Sequence, residues 1–236
     1  MLAAVSGAGD SGGGLDRAAE DTLGRLLARV FAARAVTAVV DVGAHDGGYG
    51  RFLRESVGWT GRIVSFEPQA AAFERLAAAA ASDPAWEAHR LGLGARAGRE
   101  TLSLHAGSTL ASLHPMNAAG DEILEGSPPR GSEEVQVSTL RREWRRLGLV
   151  DETVFLKTDT QGFDLEVLRG AGPRLREVVG LQAEVAVLPL YEGAPAWRDV
   201  IAWIERRGFA VSGLYIVNRA ADLRAVEFDF VAVRAG

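Results

Sequence analysis

Short apolar runs rich in β-branched residues, each followed by a stretch with helical spacing, recur along this chain. Val36–Val42 ends in Asp41-Val42-Gly43, a glycine-rich turn follows, and Tyr49–Val57 reads as a helix. Arg62–Phe66 then stops at Glu67-Pro68 ahead of the alanine-rich helical stretch Gln69–Ala81. Two strand–helix units in succession predict a parallel sheet, because parallel neighbours need a crossover between them. The pattern continues with a third strand over Trp86–Leu91, strand Thr153–Asp159, helix Phe163–Leu168, strand Gly180–Leu188 and helix Trp197–Arg207. Val135–Val137 reads as a short strand leading into helix Leu140–Leu147. The last runs, Phe209–Val217 and Val226–Arg234, are joined too briefly for a crossover and are expected to pair antiparallel.

Around this α/β pattern, residues 1–14 are rich in Gly, Ala and Ser and read as a flexible tail without the basic opening of a secretory signal. Residues 15–236 are expected to form one domain. Its first part, 15–35, is a packing helix with Leu23, Leu26, Leu27, Val30 and Phe31 on one stripe. Gly107–Ser132 lacks periodicity and reads as a lid or acceptor loop. The longest apolar stretch, Val178–Leu190, is interrupted by Gln182, Glu184 and Pro189, so a soluble, cytoplasmic protein without a membrane partner is expected. The absence of cysteine excludes thiolate metal sites, disulfides and a cysteine nucleophile. A net charge of −5 offers no general attraction to nucleic acid.

The first strand–helix turn, Asp41-Val42-Gly43-Ala44-His45-Asp46-Gly47-Gly48-Tyr49, occupies the position where open α/β sheets bind ligands. His45 stands where a dinucleotide fold needs its second glycine, the Lys and Ser/Thr of a phosphate loop are missing, and Asp41 and Asp46 bring negative charge. A cationic cofactor without phosphate suits such a turn. S-adenosylmethionine (SAM) answers that description, with Asp41 to hold its ammonium directly or through water and the turn amides to reach its carboxylate. Glu67, about 20 residues past the turn, stands where a carboxylate can hold a ribose diol.

Four segments carry a family resemblance: Val40–Gly47, Ser65-Phe66-Glu67-Pro68, Leu156-Lys157-Thr158-Asp159-Thr160-Gln161-Gly162-Phe163-Asp164 and Pro189-Leu190-Tyr191-Glu192-Gly193. From about Val36 onward the chain resembles the FkbM family of SAM-dependent methyltransferases. The resemblance implies a class I, Rossmann-like three-layer sandwich with a seven-stranded, mostly parallel sheet in the order 3-2-1-4-5-7-6 and an antiparallel last strand. It also implies O-methylation of a sugar, polyketide or other secondary metabolite. By position, Asp41, Gly43 and Glu67 would contact the cofactor, with Ala44, His45, Tyr49 and Pro68 beside them, and Asp159 would lie near the transferred methyl. His45 and Asp164 depart from the family's usual Asn and Glu.

Methyl transfer is an in-line displacement that demands alignment and exclusion of water, with one group to take the acceptor's proton. Asp159 is the candidate base, at the end of the fourth strand of the implied order, with Lys157 on its face. Glu184 interrupts an apolar strand, and a charge there needs a role or a partner. Glu184 and Asp159 together could contact the acceptor; a divalent metal on them is the weaker reading, since a third ligand is missing. His114 is a second candidate base, and Ser108 and Ser112 could close over the cofactor. S-adenosylhomocysteine would be the coproduct, and the N-terminal helix could support a homodimer. An NAD(P)-dependent Rossmann oxidoreductase and a non-catalytic SAM- or nucleoside-binding module are the competing readings. The oxidoreductase lacks a Tyr-x-x-x-Lys pair, since the one lysine, Lys157, follows Thr153 at that spacing.

Overall fold

The structure is a computed structural model that describes residues 13–105, 111–117, 120, 129–188 and 190–235. Helix α1 (Gly13–Ala33) precedes β1 (Ala38–Val42), α2 (Gly48–Glu55), β2 (Arg62–Phe66), α3 (Ala70–Ala80) and β3 (Trp86–His89). Four further strands follow: β4 (Gly92–Leu93), β5 (Gly98–His105), β6 (Ala111–Ser112) and β7 (Pro129–Ser138). The chain then runs through α4 (Leu140–Arg146), β8 (Val154–Thr158), α5 (Asp164–Ala171), β9 (Val178–Ala186) and α6 (Trp197–Glu205) to β10 (Phe209–Arg219) and β11 (Ala225–Arg234). The seven-stranded sheet has the order β10-β11-β9-β8-β1-β2-β3, which is the expected topology. The five strands from β9 to β3 are parallel, whereas β11 runs antiparallel to both β9 and β10.

Strand side chains alternate between faces, so each central strand feeds two cores. Val40, Val42, Val64 and Leu156 pack with Leu140 and Trp144 of α4, Val167 and Leu168 of α5, and Val200 and Ile204 of α6. Val39, Ile63 and Phe155 face the other way, against Leu27 and Phe31 of α1, Leu53 of α2 and Leu76 of α3. The result is helix, sheet, helix: three layers.

The stretch after β3 differs from expectation. A second, four-stranded sheet in the order β4-β7-β5-β6 stands there. The expected three-residue strand at Val135–Val137 is the end of ten-residue β7, which begins inside the expected lid, while β6 lies within the lid as well. Pairing between β5 and β7 is long and antiparallel, from Gly98↔Val137 to His105↔Pro129, with Leu102, Val135 and Val137 as its small core. Helix α1 begins at Gly13, inside the stretch read as a tail, and the rest of that stretch, residues 1–12, lies outside the described residues.

Register in the main sheet aligns four polar residues across adjacent strands: Ser65 on β2 faces Asp41 on β1, Asp41 faces Lys157 on β8, and Lys157 faces Gln182 on β9. Asp41 is 0% exposed and Lys157 4%. A charge so buried demands a partner. Lys157 Nζ lies 3.1 Å from Asp41 Oδ1, donates to the Gly43 carbonyl at 3.1 Å, and stands 5.1 Å from the centre of the Tyr49 ring. Ser65 Oγ donates to Asp41 Oδ2 at 3.0 Å and accepts from Trp86 Nε1 at 3.0 Å, while Tyr49 donates to Gln182 at 3.0 Å. Burial works against the Lys157 ammonium, but the charges of Asp41 and Asp159 overcome it and raise its pKa.

Removing one member of a buried pair strands the other charge. Lys157→Met is therefore expected to lower unfolding free energy by about 3–5 kcal/mol. The double variant Asp41→Asn/Lys157→Met should recover more than half of that loss. Urea titration of the three proteins checks this, and a single variant as stable as the parent would contradict it.

Candidate active site

A cavity of 590 Å³ opens at the carboxyl ends of β1, β2, β8 and β9. That size lies in the usual range of about 300–1,000 Å³ for small-molecule sites. One side is built by the turn after β1. Gly43 (φ 77°), His45 (φ 49°) and Gly47 (φ 86°) adopt left-handed backbone, which lets the chain turn sharply into α2. Gly43 also permits contact between strand ends: a Cβ there would stand 1.8 Å from the Asp159 carbonyl oxygen.

The turn binds itself. Gly43 and Ala44 donate their backbone N–H groups to the Phe66 carbonyl, each at 3.0 Å, and Gly47 donates to Ala44 at 2.8 Å. His45 N–H donates to Glu67 Oε2 and Gln69 N–H to Glu67 Oε1, both at 2.8 Å. The Gly43, Ala44, His45 and Gly47 amides, among those expected to reach a cofactor carboxylate, are thus engaged within the protein, because they close the turn on itself and onto the end of β2. Glu67 latches the two loops together, and burial pushes its pKa up against the pull of these N–H donors.

Of the sequence-derived candidates, Gly43, Ala44, His45, Tyr49, Glu67, Pro68, Asp159 and Glu184 line the cavity. Asp41 does not. It lies behind Lys157 and spends its oxygens on Lys157 and Ser65, which corrects the expectation of a direct ammonium contact. Ser112 and His114 also stand off the wall. Ser112 Oγ donates to the Gln161 carbonyl at 2.7 Å and accepts from the His114 N–H at 3.0 Å, while the His114 ring lies 5.1 Å from that of Phe163. Burial holds the His114 imidazole below its ordinary pKa. His114 is not among the residues that line the cavity, whereas its neighbours Leu113 and Phe163 are. Ser108 lies outside the described residues.

Asp159 follows β8 with its side chain 37% exposed, and Lys157 Nζ lies 3.5 Å from its Oδ2. Gln161 Nε2 donates to Asp159 Oδ1 at 3.3 Å and to Glu184 Oε2 at 2.8 Å, and Tyr191 donates to Gln161 Oε1 at 2.7 Å. Glu227 and Asp229 of β11 join the same wall, beside Asn218 and Gln182. Burial, then the charges of Asp159 and Glu227, push Glu184 well above the usual carboxylate range. Burial raises Glu227 to about 7 and Asp229 to about 6. Asp164, buried at the start of α5, is raised to about 6 by the same cause. Gln161, Glu227 and Asp229 escaped the sequence reading. Val226–Phe230 alternates apolar and acidic residues like a strand with one wet face, and the signal lay in the implied strand order, which sets this strand inside the sheet.

The lining is chemically one-sided. Asp46, Glu67, Asp159, Glu184, Glu227 and Asp229 face it with Lys157 the only lysine or arginine among them. Residues 41–211, well over half of the chain, match the family model of the methyltransferase FkbM domain. The chain belongs to the FkbM family of SAM-dependent methyltransferases. A solved FkbM methyltransferase from Methylobacillus flagellatus KT is similar at 16% identity, with a TM-score of 0.51 over 83% of this chain and 43% of that one. The chain therefore spans less than half the length of that relative. Magnesium protoporphyrin IX methyltransferase from Synechocystis PCC 6803, solved with bound SAM, aligns at 11% identity and a TM-score of 0.49 over 97% of this chain and 87% of that one. At such identities the likeness concerns the fold alone. No curated protein matches the chain.

The donor set fits the family's cofactor: an acid-rich wall suits a sulfonium and an ammonium, and a turn whose amides are engaged offers little to a pyrophosphate. Among the described residues, no group of three or more His, Asp or Glu side chains is arranged to hold a metal ion. No helix among them is long and apolar enough to cross a membrane.

The raised carboxylates set a pH dependence. Folding increases their proton affinity, so the folded state binds more protons than the unfolded one between about pH 4 and 7, and stability falls as pH rises through that window. The penalty is absent below the unfolded pKa and complete above the folded one. Denaturant midpoints of the ligand-free protein are expected to decline from pH 5 to pH 8, and Glu227→Gln to flatten that decline. A midpoint that climbs over this range would contradict the assignment.

Proposed function

We propose that this protein transfers a methyl group from SAM to a hydroxyl oxygen of a small-molecule acceptor, of the kind found in sugars, polyketides and other secondary metabolites. One observation carries the reading: the partly exposed Asp159 carboxylate, at the end of a central strand, opens into the same cavity as Glu67. Each Glu67 oxygen accepts one backbone N–H and keeps a further lone pair, so the two together suit a vicinal diol such as the ribose. Leu91, Leu93 and Leu102 provide an apolar wall for the adenine, and Gly43, Ala44, His45, Tyr49 and Pro68 complete the cofactor side. Asp41 acts from behind by fixing Lys157, and Lys157 in turn steadies Asp159.

When bound, the cofactor supplies an electrophilic methyl carbon on a positively charged sulfur. That carbon would be open to displacement by the acceptor oxygen, with the electron pair left on sulfur, and Asp159 would take the hydroxyl proton. Glu184 contacts the acceptor beside it. The leading alternative, a nicotinamide-dependent reductase, is disfavoured by the acid-rich wall and by a turn closed onto Phe66 and Glu67.

Asp159→Asn is expected to keep the dissociation constant for SAM within about threefold while lowering kcat by roughly 10²–10⁴. Glu67→Gln should instead weaken SAM binding by about tenfold or more. Calorimetry with SAM and with NADH, followed by mass spectrometry of a metabolite extract incubated with methyl-labelled SAM, tests the reading. Heat with NADH alone, or full turnover by Asp159→Asn, would reject it.

A further inference from the structure

Gln161 occupies a place that methyl transfer by itself does not explain. Its backbone is left-handed, φ 52°, a region that side chains other than Gly, Asn and Asp seldom enter, and Gly162 follows at φ 88°. That conformation is held from several sides. The Gln161 carbonyl accepts from Ser112 of β6, its Oε1 accepts from the buried Tyr191 hydroxyl, and its Nε2 spends one hydrogen on Asp159 and the other on Glu184. An amide nitrogen has two hydrogens, and both are engaged. The Tyr191 bond and the two acceptors together fix which end of the amide faces the carboxylates.

We propose that Gln161 is a positioning residue, which holds the Asp159 and Glu184 carboxyl groups on one side-chain amide and so keeps both aimed at the acceptor. The inference rests on the reading of Asp159 as the base. Without the shared donor the two side chains would lose the contact that aligns them. The amide keeps both in place, and the surroundings then divide them: Asp159 has the Lys157 ammonium at 3.5 Å, whereas the groups acting on Glu184 are Asp159, Asp164 of α5, and Glu227 and Asp229 of β11, all acidic. Burial and those charges push the Glu184 pKa well above the usual carboxylate range. Asp159, with a cation beside it and part of its surface open, is left to receive the proton from the acceptor. Tyr191 stays protonated, since burial raises its phenol above the ordinary value, and continues to donate to Oε1.

Gln161→Gly removes the amide while suiting the left-handed backbone and keeping the carbonyl that Ser112 binds. Gln161→Asn, also tolerant of this backbone, carries an amide too short to reach both carboxylates. The full chain, labelled with ¹³C at its Asp and Glu carboxyls, is titrated by NMR without cofactor, with Asp159→Asn and Glu184→Gln assigning the two signals. In both Gln161 variants the Glu184 midpoint is expected to rise by about one pH unit or more. The SAM dissociation constant should stay within about threefold, and kcat should drop roughly tenfold or more. A Glu184 midpoint that does not move would overturn the proposal whatever happens to kcat. If it moves while Asp159→Asn keeps full turnover, the pairing stands and Asp159 is not the base; if Asp159→Asn is inactive and it does not move, the base stands and the positioning role falls.

Discussion

The ion pair between Asp41 and Lys157 is the constraint on which the rest of the site depends. Both side chains are buried, on neighbouring central strands in register, where neither charge is tolerable alone. Each charge therefore fixes the other's strand. Lys157 further binds the Gly43 carbonyl and lies beside Asp159, so one ammonium joins the interior of the sheet to the turn after β1 and to the carboxylate after β8. Ser65, Trp86, Gln182 and Tyr49 extend the row to β2, β3, β9 and α2. A polar network of this kind is costly when half satisfied and rigid when complete.

Strand ends in such a sheet diverge unless something draws them together. Gly43 allows the backbone at Asp159 to approach within a distance that any side chain would prevent, and Glu67 ties the turn after β1 to the loop after β2 through two backbone amides. The cavity lies where these loops meet. Its opposite wall is acidic and partly buried, and burial, followed by mutual repulsion, raises the pKa values of its carboxyl groups. A cation bound in the cavity would offset that repulsion, so the carboxylates whose burial costs stability at neutral pH are also the groups that suit a sulfonium donor.

Much of this was legible beforehand. Alternating apolar runs and helical spacing marked the strands and helices that pair through crossovers, and the boundaries differ from the structure by a few residues at most sites: Thr153–Asp159 against Val154–Thr158, Trp197–Arg207 against Trp197–Glu205. The second sheet was not legible. Its strands carry Gly, Ser, Glu and Pro in place of a steady apolar rhythm, and β7 gains its order from pairing with β5, a contact between distant parts of the chain that local periodicity does not encode. The candidate residues divide similarly. Gly43, Glu67 and Asp159 follow strand ends and could be found by position; Gln161 and Asp229 reach the cavity because of a left-handed turn and a strand inserted between two others.

The sequence by itself determined the α/β architecture, the place of the glycine turn and the preference for a phosphate-free, cationic cofactor, because periodicity, turn chemistry and charge are local properties of the chain. Only the tertiary structure decided that Asp41 faces Lys157 rather than a ligand, that the turn closes onto Phe66 and Glu67, that Ser112 and His114 are not among the lining residues, and that Glu184, Glu227 and Asp229 share one surface. Register across strands and burial by neighbours settle such matters, and both arise from contacts between residues far apart in the chain.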